Sequence, residues 1–178
     1  MDNEELLWEI YDEYRTARLN VKYYSARLNT FENWNDWLEV LVAVTASGST
    51  ISGFWFFKTD EGVSFWKFLL TVSGLAAFFK PFLKLTHKIR FFEQTLSGYR
   101  ALDYELGDIV LQIKKDQGCS KLVLKMFDAA KKKKKDLVTK PPEIQQKKKL
   151  INKFYEEVLN EIPKESLYLP KDSVNGNK

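Results

Sequence analysis

The sequence predicts an all-α membrane protein: a two-helix transmembrane hairpin carrying a cytoplasmic antiparallel helical bundle. Three observations predict it. Two nearly uncharged stretches of membrane length stand side by side, between residues 37 and 80. Four of the five tryptophans lie at the ends of those stretches. Long heptad seams flank them on both sides.

The opening segment, residues 1–36, is acidic and amphipathic, which argues against a cleavable signal peptide. In "LLWEIYDEYRTARLNVKYYSARLNTF" apolar or aromatic positions fall at Leu7, Ile10, Tyr14, Ala17, Val21, Tyr24, Leu28 and Phe31. Steps of three and four alternate without a break, so the segment reads as a helix with a packing seam.

Residues 37–57 form the first predicted span. Val40 to Phe57 holds 18 residues without a charge, roughly 27 Å of helix and within the range that crosses a bilayer. Residues 58–62 are the predicted external loop, and 63–80 the second span, interrupted by Lys67. A lysine within one or two turns of a helix end reaches the headgroups by snorkelling. Trp34, Trp37, Trp55 and Trp66 fall where two antiparallel spans would meet the membrane surfaces. The alternative is a soluble protein whose two apolar helices form a core, joined by "KTDEG"; it gives no reason for tryptophan at the segment ends. Arg18, Lys22 and Arg27 precede the first span, and Lys80, Lys84, Lys88 and Arg90 follow the second. The bias of basic residues predicts both termini in the cytoplasm of a bacterial inner membrane.

Residues 81–165 are the predicted cytoplasmic helical domain. A second seam runs through Leu85, Ile89, Phe92, Leu96, Tyr99, Leu102, Leu106, Ile109 and Ile113, continuing the second span as one rod that Pro81 is placed to kink. It should pack antiparallel on the first seam. Glu93, Asp103, Glu105 and Asp108 are assigned to its solvent side. "CSKLVLKMFDAAKKKKKDLV" follows a stop at Gly118, with Ser120 as N-cap. "EIQQKKKLINKFYEEVLNEI" follows Pro141 and Pro142, with Ile144, Ile151, Phe154 or Tyr155, Val158 and Ile162 on one side. Residues 166–178 lack periodicity and read as a loosely ordered tail.

No sequence signature of an enzyme appears. There is no phosphate-binding glycine loop and no nucleophile triad. With one cysteine and one histidine, Cys119 and His87, no internal disulfide and no cysteine-based metal site is possible. No cofactor or small-molecule substrate is implied. His87 reads as a packing or interfacial residue.

Two features remain. Lys131, Lys132, Lys133, Lys134 and Lys135 form a basic run that is either a solvated helix face or a patch for RNA, a ribonucleoprotein or anionic lipid. No aromatics interleave with these lysines, which weakens a single-strand platform. In the first span, Thr45, Gly48, Ser49, Ser52 and Gly53 share one broad face of the helical wheel. Small residues let helices approach closely, and hydroxyls bond across interfaces or face water. Two helices alone do not cover such a surface, so a homo-oligomer is predicted, as a plain anchor or as a water-filled pore.

The tyrosine- and arginine-rich "YDEYRTARLNVKYYSARL", two close spans with a tiny loop, and a long helix continuing from the second resemble the SLATT-type two-transmembrane effectors of bacterial antiphage defence. The chain is also similar to the small membrane accessory proteins of type VI-B CRISPR systems, which act beside an RNA-guided RNase. The resemblance covers roughly residues 5 to 115 and rests on architecture. It implies a pore that depolarises the cell, with the bilayer, further copies of the chain and a CRISPR RNase or its RNA as partners. A nuclease-like accessory domain would need an arginine ahead of a histidine with four to six residues between them. Before His87 those positions hold Phe82, Pro81 and Lys80. A membrane-anchored RNA-binding, nuclease-like or scaffolding module is the alternative.

Overall fold

The computed structural model describes residues 3–46, 59–143 and 145–169. Five α-helices and no strands are found among them: α1 Asn3–Ala46, α2 Asp60–Leu83, α3 Leu85–Asp116, α4 Lys121–Thr139 and α5 Lys148–Glu161, followed by a short 3₁₀ turn, Lys164–Ser166. The all-α class is therefore as the sequence predicts. The chain divides into two compact units, Met1–Ala26 with Phe92–Lys178, and Arg27–Phe91.

The first unit is an antiparallel four-helix bundle. The seam of α3 is its spine: Phe92, Leu96, Tyr99, Leu102, Leu106, Ile109 and Ile113 are all buried. Leu7, Ile10, Ala17 and Tyr24 face it from α1. Tyr24 stacks on Tyr99 at 5.3 Å and 18°, and Gly107 faces the ring of Tyr14. Residue numbers thus rise on one helix as they fall on the other, the antiparallel pairing the seams predict. Helix α4 closes the next side, with Val123, Phe127 and Ala130 buried. It starts as expected: the Ser120 side chain accepts from the Val123 N–H at 3.3 Å, satisfying one orphan donor of the first turn. Gln117, at φ 52, ends α3 in the left-handed region.

Helix α5 begins at Lys148, later than the pattern suggests, and packs against α1 through Val158 and Ile162. Phe154 is half-buried and Tyr155 exposed, which resolves the choice between them. Two expectations fail here. The segment after residue 165 is not loose as far as it is described, because Leu167 is buried and the Tyr168 carbonyl accepts a 2.8 Å bond from the Tyr11 hydroxyl. Asp103 is not on a solvated face: it is 8% exposed and pairs with Arg18 at 3.1 Å. A helix with neighbours on several sides buries a wider arc than a two-helix seam assigns to it.

In the second unit, residues 27–46 of α1 run antiparallel to α2. The Lys80 Nζ to Glu39 Oε1 bridge, 3.1 Å, and the Lys88 ammonium, 5.8 Å from the Phe31 ring centre, set the register. Helix α2 starts inside the predicted loop, with Thr59 as N-cap accepting from the Gly62 N–H at 3.1 Å. The predicted continuous rod is broken at a single residue, Lys84, at φ 47 and ψ 38. The break lies one turn after Pro81, whose missing N–H weakens the ladder. Among the described residues no helix is long and apolar enough to cross a membrane. The first predicted span leaves the described region after Ala46, and α2 is interrupted by Lys67 and Lys80.

Candidate functional site

The surface of the second unit is its most unusual property. Trp34, Trp37, Val40 and Val44 of α1 are exposed, Trp37 by 74%. On α2, Val63, Phe65, Phe68, Leu70, Leu75, Phe78 and Leu83 are exposed, Phe68 by 65%. At 100° per residue the α2 set occupies roughly 60% of the helix circumference, far wider than the stripe of an amphipathic helix that buries one face. The polar groups among them are satisfied locally: the Thr71 hydroxyl donates to the Lys67 carbonyl at 2.9 Å, within its own helix. Ser73 is buried, and a Cβ at Gly74 would meet nothing within 4 Å, so backbone is open to close approach there.

Of the predicted small-residue face, Thr45 lies in the last turn of α1. Gly48, Ser49, Ser52 and Gly53 lie outside the described residues, as does Trp55. Trp34 and Trp37 stand exposed at the membrane-surface positions assigned to them, and Trp66 is half-buried.

The lysine run has a role that neither sequence reading assigned. Lys131 pairs with Glu9 at 2.6 Å and Lys134 with Glu13 at 2.5 Å, both across to α1, while Lys133 pairs with Glu105 of α3. The Lys131 ammonium also lies 4.8 Å from the centre of the Phe127 ring. Three of the five lysines thus hold α4 in the bundle, leaving Lys132 and Lys135 as the exposed remainder of the patch. Opposing glutamates at Glu9, Glu13 and Glu105 were the available signal, legible only once the helix pairing is known.

Polar side chains of α1 organise the other end of the bundle. The Arg15 guanidinium, 11% exposed, donates to the Ile162 carbonyl from Nε at 3.2 Å and from Nη2 at 2.8 Å. It thereby covers the C-terminal end of α5, where carbonyls lack helical partners and a cation is favoured. Lys22 bridges Glu157 at 3.0 Å and Glu161 at 2.7 Å. The Tyr23 hydroxyl donates to Glu143 and accepts from the Lys147 N–H at 3.0 Å, fastening the chain that enters α5.

An open cavity of about 510 Å³ in this unit is lined by Tyr14, Arg18, Arg100, Asp103 and Glu161, among others. Burial pushes the Asp103 carboxyl above its ordinary value, and Arg18 only partly draws it back. Arg18 pairs with Asp103 here, and Glu161 with Lys22 of α1. Cys119 is half-buried, and burial raises its thiol pKa, away from the thiolate a reactive cysteine needs. No group of three potential metal ligands occurs among the described residues.

No protein-family model, curated protein or solved structure matches the chain.

Proposed function

We propose that this chain is a homo-oligomeric membrane effector whose predicted spans, residues 37–57 and 63–80 within the Arg27–Phe91 unit, embed in the bilayer. The observation that carries the reading is the broad apolar exposure of α2. Taking about 25 cal/mol per Å² for apolar area removed from water, leaving so many large side chains solvated is costly, and lipid relieves that cost on all sides at once. Lys67, one to two turns into α2, reaches the surface by snorkelling, and Lys80 is neutralised by Glu39. Copies of the chain then meet at small residues: Gly74 on α2, and the Thr45, Gly48, Ser49, Ser52 and Gly53 face, which is the pore-lining or packing surface in this reading. Permeabilisation of the bacterial inner membrane, as an effector or CRISPR accessory in antiviral defence, follows from the resemblance of architecture.

Expression, or an infection that triggers defence, is expected to collapse the membrane potential while cellular RNA stays intact. RNA breakdown in polarised cells would instead favour the nuclease-like alternative. Retained potential and RNA, with a soluble partner recovered at the membrane, would favour a scaffold. Leucine at Ser49 and Ser52 is expected to block conduction with assembly preserved if these hydroxyls line a lumen. Leucine at Gly48 or Gly53 is expected to break the oligomer.

A further inference from the structure

We infer that the break between α2 and α3 is a binding site for a phosphate group, and specifically for the headgroup phosphate of a membrane lipid. An open cavity of about 480 Å³ lies there, lined by Asn35 of α1, Ala77 and Lys80 of α2, Lys84 at the break, and Leu85, Thr86 and His87 of α3. Three nitrogen-bearing side chains from both sides of the break (Lys80, Lys84 and His87) thus converge on one hollow. Their charges are not equivalent. Lys80 is bridged to Glu39, which also accepts from the Asn35 amide at 2.9 Å. Among the described residues Lys84 forms no ion pair, so it supplies the surplus cation, with the His87 ring and the Thr86 hydroxyl as further donors.

Lys84 is also the residue whose backbone is left-handed, at φ 47. That region suits glycine and costs a residue that carries a Cβ. A lysine holds it here, at the point where its side chain borders the cavity.

The neighbouring surface favours a lipid over a free anion. Leu83, the last residue of α2 and the chain neighbour of Lys84, is an exposed large apolar side chain. A ligand with a phosphate and an acyl chain satisfies both surfaces together, and basic residues at the cytoplasmic boundary of a span are suited to it. This site rests on the membrane reading for its lipid source, but its phosphate chemistry does not.

The test uses the full chain in nonionic detergent, with lipid adducts counted by native mass spectrometry. The probes are phosphatidylglycerol, diacylglycerol with identical acyl chains, and inorganic phosphate. Wild type is expected to retain phosphatidylglycerol over diacylglycerol. Lys84→Gln and Lys84→Gly are each expected to reduce that preference roughly fivefold, the effect of one surface cation. The glycine variant suits the left-handed backbone, so its loss cannot be ascribed to strain. Lys88→Gln, at an exposed lysine that does not border the cavity, is expected to leave the preference unchanged. Displacement of adducts by inorganic phosphate without a preference between the lipids would keep the phosphate site and assign it to a free anion. Equal losses for Lys84→Gln and Lys88→Gln, no loss for either, or indifference to all three probes would overturn the site. Flotation with phosphate-free vesicles tests the membrane reading separately, so either can fail alone.

Discussion

Asp103 of α3, buried and paired with the half-exposed Arg18, behaves with pH as its burial dictates. Burial raises the Asp103 carboxyl above its ordinary value, so the folded chain keeps this proton to a higher pH than the unfolded chain does. Between the two values the native state binds more protons, and stability falls as pH rises. Asp103→Asn is expected to flatten that slope, read as the urea midpoint at mildly acidic and neutral pH. Tyr11 and Tyr99 act similarly at the alkaline end. Burial pushes each to about 12, against 10.0 when free. Their contribution is therefore intact below the ordinary phenol value and lost as pH rises through the interval up to about 12. Phenolate absorbance should rise together with loss of helix in that window; phenolate forming in a fully helical chain would contradict the burial argument. Tyr99 falls on the α3 heptad, whereas Tyr11 lies off the α1 seam and its hydroxyl is met by the Tyr168 carbonyl.

At the scale of elements, two devices lock the bundle. Arg15 caps α5 through a two-donor fork on one carbonyl. Arg15→Ala is expected to cost about 1.5–3 kcal/mol, the range for hydrogen bonds to charged groups. Arg15→Lys should restore little, since an ammonium lacks the planar fork. Amide exchange confined to residues 148–168 would locate the loss. The second device is the lysine clasp. Lys134→Glu places like charge against Glu13 and is expected to destabilise by about 1 kcal/mol, a modest figure because the pair is partly exposed. Lys132→Glu should change stability by less than about 0.5 kcal/mol, and Glu13→Lys with Lys134→Glu should recover most of the loss. Equal effects at Lys132 and Lys134 would return the run to a uniform solvated face. Gly107→Ala gains helix propensity and meets Tyr14 only at ordinary contact distances, so thermal denaturation should show a gain of about 0.5–1 kcal/mol.

The same elements show what the sequence makes legible. Heptads at Leu96 through Ile113 announce a packed helix because the repeat itself is the packing geometry. The Ser120 cap is local chemistry and equally readable. Asp103, the lysine clasp and the docking of Leu167 depend on which helix lies opposite. That information resides in the register between distant segments, not in any one of them. An antiparallel register matched for opposite charges would have paired Arg18 with Asp103.

At the scale of the whole molecule, the central claim is that the Arg27–Phe91 unit is built for a bilayer. Its proposed pore face is a pattern of small and hydroxyl residues in the first predicted span, and four of those five positions lie outside the described residues. What the structure adds is the breadth of apolar exposure on α2, wider than the stripe of a helix that buries one face. The most direct measurement is flotation. Membranes from bacteria expressing the full chain are washed in alkaline carbonate, then layered beneath a sucrose gradient and centrifuged. The chain is expected to rise with the lipid, together with an endogenous multi-pass marker, and to stay there when Lys131–Lys135 are neutralised. Release by carbonate into the soluble fraction, with the marker still floating, would contradict the membrane reading.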